Sequence, residues 1–322
     1  MESKSGSAYD CIVTRPQARA AGGNETAAGC VSPPESMGLH KLLWRHVPLP
    51  VRAILIGLAV MMAGQLPWSF LVTANLRTSP SAPWAAAAMA AYLTLYWRYL
   101  NGWGGPQASA ESRHERFRAR GLPLALWARA MAAGVLAVAA AVMLEAAYSR
   151  FVSVPSAAPS SHTAAYPWFT VLLLLMTSGA VAGIAEEAGF RGYMQSILER
   201  AYGPAVAIAI VSVVFAAIHF THGVSTTLPR LPYYLAVSAI YGLLTYRTGS
   251  ILPALTIHAG GDALEYLVVW QRGAARVQST ALLGGGGTFW MELAGGLVMG
   301  AAAVWFYRNL PRAGSGATRR LS

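Results

Sequence analysis

The segment that decides the fold is WFTVLLLLMTSGAVAGIAEEAGFRGYMQSILER, residues 168–200. Its first 18 residues, Trp168 to Ala185, carry no charge, and about 20 apolar residues in a helix span the hydrocarbon of a bilayer. Glu186, Glu187 and Arg191 follow at once, and the second half of the segment becomes amphipathic. An ionisable side chain at the centre of a bilayer costs ~3 kcal/mol or more, so such a cluster marks a candidate site of function.

Working outward, comparable apolar runs recur at 53–74, 83–99, 124–148, 204–220, 231–246, 251–270 and 289–307, the run at 231–246 being short. With 168–200 they predict an all-α polytopic membrane protein, about eight transmembrane helices in one bundle around a polar cavity. Composition agrees: 55% of the 322 residues are hydrophobic and 11% are charged, against about 25% charged in a soluble domain. An ordinary soluble enzyme is thereby excluded. The transmembrane domain is expected over 51–310, between a loosely ordered tail at 1–50 and a short tail at 311–322. No apolar run occupies the first 30 residues, so a cleaved signal peptide is not expected. Cys11 and Cys30 both fall in the N-terminal tail and build neither a disulfide framework nor a thiolate metal site. Gly284–Gly287 reads as a flexible loop.

The net charge of +11 needs no nucleic acid, because basic loops are retained on the cytoplasmic side of membrane proteins. With an intracellular N-terminus, 19 Lys and Arg fall on the cytoplasmic side and 5 on the other, six of the 19 in the 98–129 loop. That asymmetry predicts eight spans with both termini cytoplasmic, and the lack of an organellar signal with the Ala- and Arg-rich composition points to a bacterial inner membrane.

Ionisable residues inside the apolar runs concentrate in the second half: Glu186, Glu187, Arg191, His219, His222, His258, Asp262 and Glu265. The first half has only Gln65 and, near a helix end, Glu145. Glu187 and Arg191 are four apart and can pair on one helix face. His258 and Asp262 repeat that spacing, which lets the carboxylate hold one imidazole nitrogen. Gly203-Pro204 has the chemistry of a tight turn between antiparallel helices. Glu186 and His219 then both sit about 25 Å from that turn, at one level. A second turn at Thr248-Gly249-Ser250 places His258 and Asp262 about 14 and 20 Å beyond it. His222 is expected at the interface and Glu265 at a solvated outer end.

Glu186-Glu187-Ala188-Gly189-Phe190-Arg191 fits EExxxR, Phe215-Ala216-Ala217-Ile218-His219 fits FxxxH, and His258-Ala259-Gly260-Gly261-Asp262 fits HxxxB, where B is Asn or Asp. In this order among apolar helices, residues 168–270 resemble the CPBP or ABI family of intramembrane endopeptidases, related to type II CAAX prenyl proteases and bacteriocin-processing proteins. The resemblance implies a catalytic core at 168–270 and peptide hydrolysis by a water that Glu186 and His219 activate. It implies that His258 and Asp262 complete the site, stabilising the oxyanion, and that Arg191 positions Glu187. A metal-free mechanism is favoured, with no cofactor, since HExxH is absent. The alternative is zinc held by Glu186, His219 and His258 with an open water position. The expected partners are the lipid bilayer and a membrane-associated protein or peptide substrate.

Two other classes compete. A proton-coupled transporter also buries Glu, His and Arg, yet it usually carries matching broken helices in both halves, and here the polar residues occupy one half. A non-catalytic immunity protein on the same fold would have lost a motif residue, and none is missing.

Overall fold

A computed structural model describes residues 46–152, 166–272 and 286–310. The expected tails fall largely outside them, as do Cys11 and Cys30. Among the described residues there are helices and no strand. The longer ones are α1 (Leu49–Thr78), α2 (Trp84–Leu100), α3 (Ala110–Phe117), α4 (Leu124–Tyr148), α5 (Trp168–Glu186), α6 (Gln195–Ile218), α7 (Val224–Thr248), α8 (Leu252–Arg272) and α9 (Gly286–Arg308).

Each expected apolar run lies on a helix. Four candidates are long and apolar enough to cross a membrane: Leu49–Thr78, Leu124–Tyr148, Trp168–His222 and Gly287–Arg308. They describe a multi-pass membrane protein. The remaining runs differ for visible reasons. Helix α2 has 17 residues; α7 contains Pro229, Pro232 and Arg230; α8 carries His258, Asp262 and Glu265. The short run at 231–246 is part of a 25-residue helix that starts at Val224; of the loop expected over Gly284–Gly287, Gly286 and Gly287 instead open α9, and Gly284 and Gly285 lie outside the described residues.

One departure concerns the decisive segment. It does not run as one α-helix: Glu187–Met194 forms a π-helical stretch between α5 and α6. Gly189 and Gly192 weaken the α-helical preference there, and such wide turns recur at functional sites. The turn expected at Gly203-Pro204 is present: Gly203 has a φ of 78° and a ψ of 168°, which only glycine adopts readily. The chain turns back at that point. Phe190, 13 residues before Gly203, meets Phe215, 12 residues after it, with ring centroids 5.3 Å apart.

Every residue from Ala185 to Ser196 is buried, because the π-helical stretch lies between two apolar cores. Phe190 and Met194 enter one with Phe215, Tyr241 and Ile257; Ala188 and Tyr193 enter the other with Trp68, Met89 and Phe117. Helix α1 approaches this stretch backbone to backbone, so that a Cβ added at Gly57 would lie 2.8 Å from the Gly189 carbonyl oxygen. On the other side α5 packs along α8, with Gly183 against Ala259.

One end of the molecule is tied together by polar contacts. Arg118 pairs with Glu199 near the Gly203 turn, the Arg118 carbonyl accepts from Ile251 N at 3.1 Å, and the Arg120 carbonyl accepts from Ser250 Oγ at 2.7 Å. The two turns inferred from sequence therefore share an end with the 101–123 loop. That loop folds around Arg113, which donates to the carbonyls of Tyr99 at 2.9 Å and Gly104 at 2.8 Å.

Candidate active site

Glu186 closes α5, while Glu187 and Arg191 lie on the π-helical stretch and reach α8 and α7. Glu187 and Arg191 are both fully buried and pair at 2.8 Å. Arg191 also donates to Ser238 of α7, to its Oγ at 2.9 Å and its carbonyl at 3.1 Å. Its guanidinium is surrounded by aromatic faces, 4.9 Å from Phe215 and 5.3 Å from Tyr241. A buried cation is tolerable when paired and hydrogen-bonded in this way.

His258 is the hub of the cluster. Its Nδ1 donates to Glu187 Oε1 at 2.8 Å, the same oxygen that Arg191 reaches. The spacing of His258 and Asp262 predicts that Asp262 holds the imidazole, but Glu187 from another helix takes that hydrogen bond. Asp262 stands 3.6 Å from the second nitrogen, Nε2, and Glu186 stands 3.8 Å from it. The ring stacks on Tyr241 with centroids 5.1 Å apart. Glu186, Glu187, Arg191, His258 and Asp262 thus meet in one cluster.

His219 sits beside that cluster rather than within its hydrogen bonds. Its Nδ1 donates to the Phe215 carbonyl oxygen at 2.8 Å, which leaves Nε2 as the basic nitrogen of the neutral ring. Phe215 neighbours both imidazoles, with ring centroids 4.8 Å from His219 and 6.2 Å from His258. On its other face His219 stacks on Tyr234 at 3.9 Å. His222 is exposed, and Glu265, half in solvent, stands 3.9 Å from Arg230. Both agree with the outer positions expected of them.

Three contributors escaped the sequence reading as site residues. Gln65 of α1 donates from Nε2 to Glu186 Oε1 at 2.7 Å; its signal was a lone amide in an apolar helix. Ser238 and Tyr234 lie on α7, four residues apart and therefore on one side of it, but no motif marks either.

The zinc alternative can be tested against these positions. His258 Nδ1 is bound to Glu187 and His219 Nδ1 to a main-chain carbonyl, which leaves Nε2 of each ring as the nitrogen open to a ligand. Among the described residues no three His, Cys, Asp or Glu side chains are grouped to hold a metal ion. The metal-free reading is taken up below as a proposal, and no step there passes through a metal.

No curated protein and no solved structure matches the chain. Residues 167–264, a stretch that contains Glu186, Glu187, Arg191, His219, His258 and Asp262, match the model of a protease family described as Type II CAAX prenyl endopeptidase Rce1-like.

Proposed function

We propose that this protein is an intramembrane endopeptidase that hydrolyses a peptide bond of a membrane-associated protein or peptide without a metal. The observation that carries the reading is the meeting of three carboxylates around His258, with His219 one aromatic ring away. Among the described residues Glu186 has no arginine paired with it, unlike Glu187, and its Oε2 stands 3.8 Å from His258 Nε2.

In this reading Glu186 and the Nε2 of His219 bind a water between them. Glu186 takes one proton as the oxygen attacks the scissile carbonyl carbon, and it returns that proton to the leaving amine nitrogen when the C–N bond breaks. General-base assistance of this kind contributes about 10²–10⁴-fold. Negative charge develops on the former carbonyl oxygen. His258, held by Glu187 through Nδ1, presents Nε2–H to it, and Asp262 keeps the ring charged and aligned. Arg191 holds Glu187 and does not touch substrate.

The same proposal includes the topology: eight spans, both termini in the cytoplasm of a bacterial cell, and the site opening towards that side. The 19-to-5 distribution of Lys and Arg supports it. A bacterial membrane offers no prenylated CAAX protein of its own, so the substrate proposed is another membrane-anchored peptide.

Glu186→Gln keeps the shape and removes the base. In proteoliposomes containing a quenched-fluorescent library of lipid-anchored peptides, it should abolish the cleavage that the wild-type protein shows, while the protein still inserts and melts normally. Substantial residual cleavage would remove Glu186 from the role.

A further inference from the structure

Glu187 is held by a buried arginine, but Glu186 is held by a neutral amide from the other end of the sequence. Gln65 Nε2 donates to Glu186 Oε1 at 2.7 Å across 121 positions. An ionised carboxylate only accepts, so the amide nitrogen is the atom that faces it. The contact is held in register from both sides. Immediately before it, Gly64 and Ala185 touch so closely that a Cβ on Gly64 would lie 2.5 Å from that of Ala185. One turn along, Trp68 Nε1 donates to Ser178 Oγ at 3.0 Å. Helices α1 and α5 are locked at this level, and Gln65 has little freedom to leave.

The two oxygens of Glu186 consequently differ. Oε1 is occupied by Gln65, and Oε2 is the one 3.8 Å from His258 Nε2. We infer that Gln65 is a positioning residue, which fixes the Glu186 carboxylate so that Oε2 takes the proton from water. A neutral donor suits this task because it orients a carboxylate without cancelling its charge, as an arginine would. This inference rests on Glu186 being the general base. It adds that the reaction requires a residue of α1, outside the stretch that matches the protease family.

The test compares Gln65→Leu with wild type and with Glu186→Gln, using the same peptide library in proteoliposomes. Gln65→Leu should lower kcat on the order of 10- to 10²-fold, as expected for a misdirected reacting group, with KM little changed. Because a leucine in an apolar helix also suits a merely structural role, a spectroscopic readout is added. The infrared carboxylate band of Glu186, isolated as the difference between wild type and Glu186→Gln, should shift in Gln65→Leu and equally in Gln65→Ala. An unchanged kcat and an unmoved band would overturn the inference while Glu186 keeps its role. Full activity in Glu186→Gln would instead overturn the mechanism on which it rests. If Gln65→Leu does not fold, the band in Gln65→Ala decides alone.

Discussion

Arg191 and Glu187 are each fully buried and hold one another at 2.8 Å, so removing either leaves an uncompensated charge among apolar side chains. Arg191→Met should therefore destabilise the protein by about 3–5 kcal/mol, whereas replacing both partners, Arg191→Met with Glu187→Leu, should recover much of the loss. Denaturant unfolding in detergent micelles measures both; equal losses would mean that the pairing is not what matters. His258 has a different burden. If its Nε2 stabilises the oxyanion, His258→Ala should retain the fold and lose on the order of 10²–10³ in rate. The metal question is settled at the same scale. Chelators should leave cleavage intact and elemental analysis should find no stoichiometric zinc. One zinc per active molecule would refute the metal-free reading.

At the scale of elements, the placement of α1 depends on the absence of side chains. Gly57 lets it approach the π-helical stretch until main chains touch, and an added Cβ would lie 2.8 Å from both the Gly189 oxygen and the Met194 Cβ. Gly57→Ala should cost about 1–3 kcal/mol by overpacking. It should also lower cleavage, because Gln65 lies about two turns further along the same helix and moves with it. Gly260 is the comparison, since a Cβ there meets nothing within 4 Å; Gly260→Ala should leave the melting temperature unchanged. A tolerant Gly57 would show that α1 can shift without disturbing its neighbours.

For the whole molecule, the contacts that join the 101–123 loop to the Gly203 and Gly249 turns put all three at one end. In the proposed topology that end is the cytoplasmic one, which the charge distribution supports. Reporter fusions after residues 115 and 315 should therefore read cytoplasmic and one after residue 160 should read the opposite side. A reversed signal at 115 would refute the orientation.

Local spacing and composition were sufficient for much of this. Runs of apolar residues located the helices, since the bilayer demands length and apolarity from neighbours in the chain. The four-residue interval of Glu187 and Arg191 specified their pairing, and the chemistry of Gly203-Pro204 specified the reversal of the chain there. In each case the informative residues are covalently close or related by a single turn. The sequence could not specify how each helix is rotated about its own axis, and interhelical hydrogen bonds depend on that rotation. It therefore suggested Asp262 as the partner of His258, where packing supplies Glu187 from 71 positions away. Gln65 was visible as an unusual amide but not as the partner of Glu186, and Ser238 had no signal at all. The π-helical turn through Glu187–Met194 also belongs to the tertiary structure, because backbone contact with α1 and burial between two cores act on that stretch together. The chain's own spacing determined which groups share a helix face; close packing of separate helices decided which atoms meet.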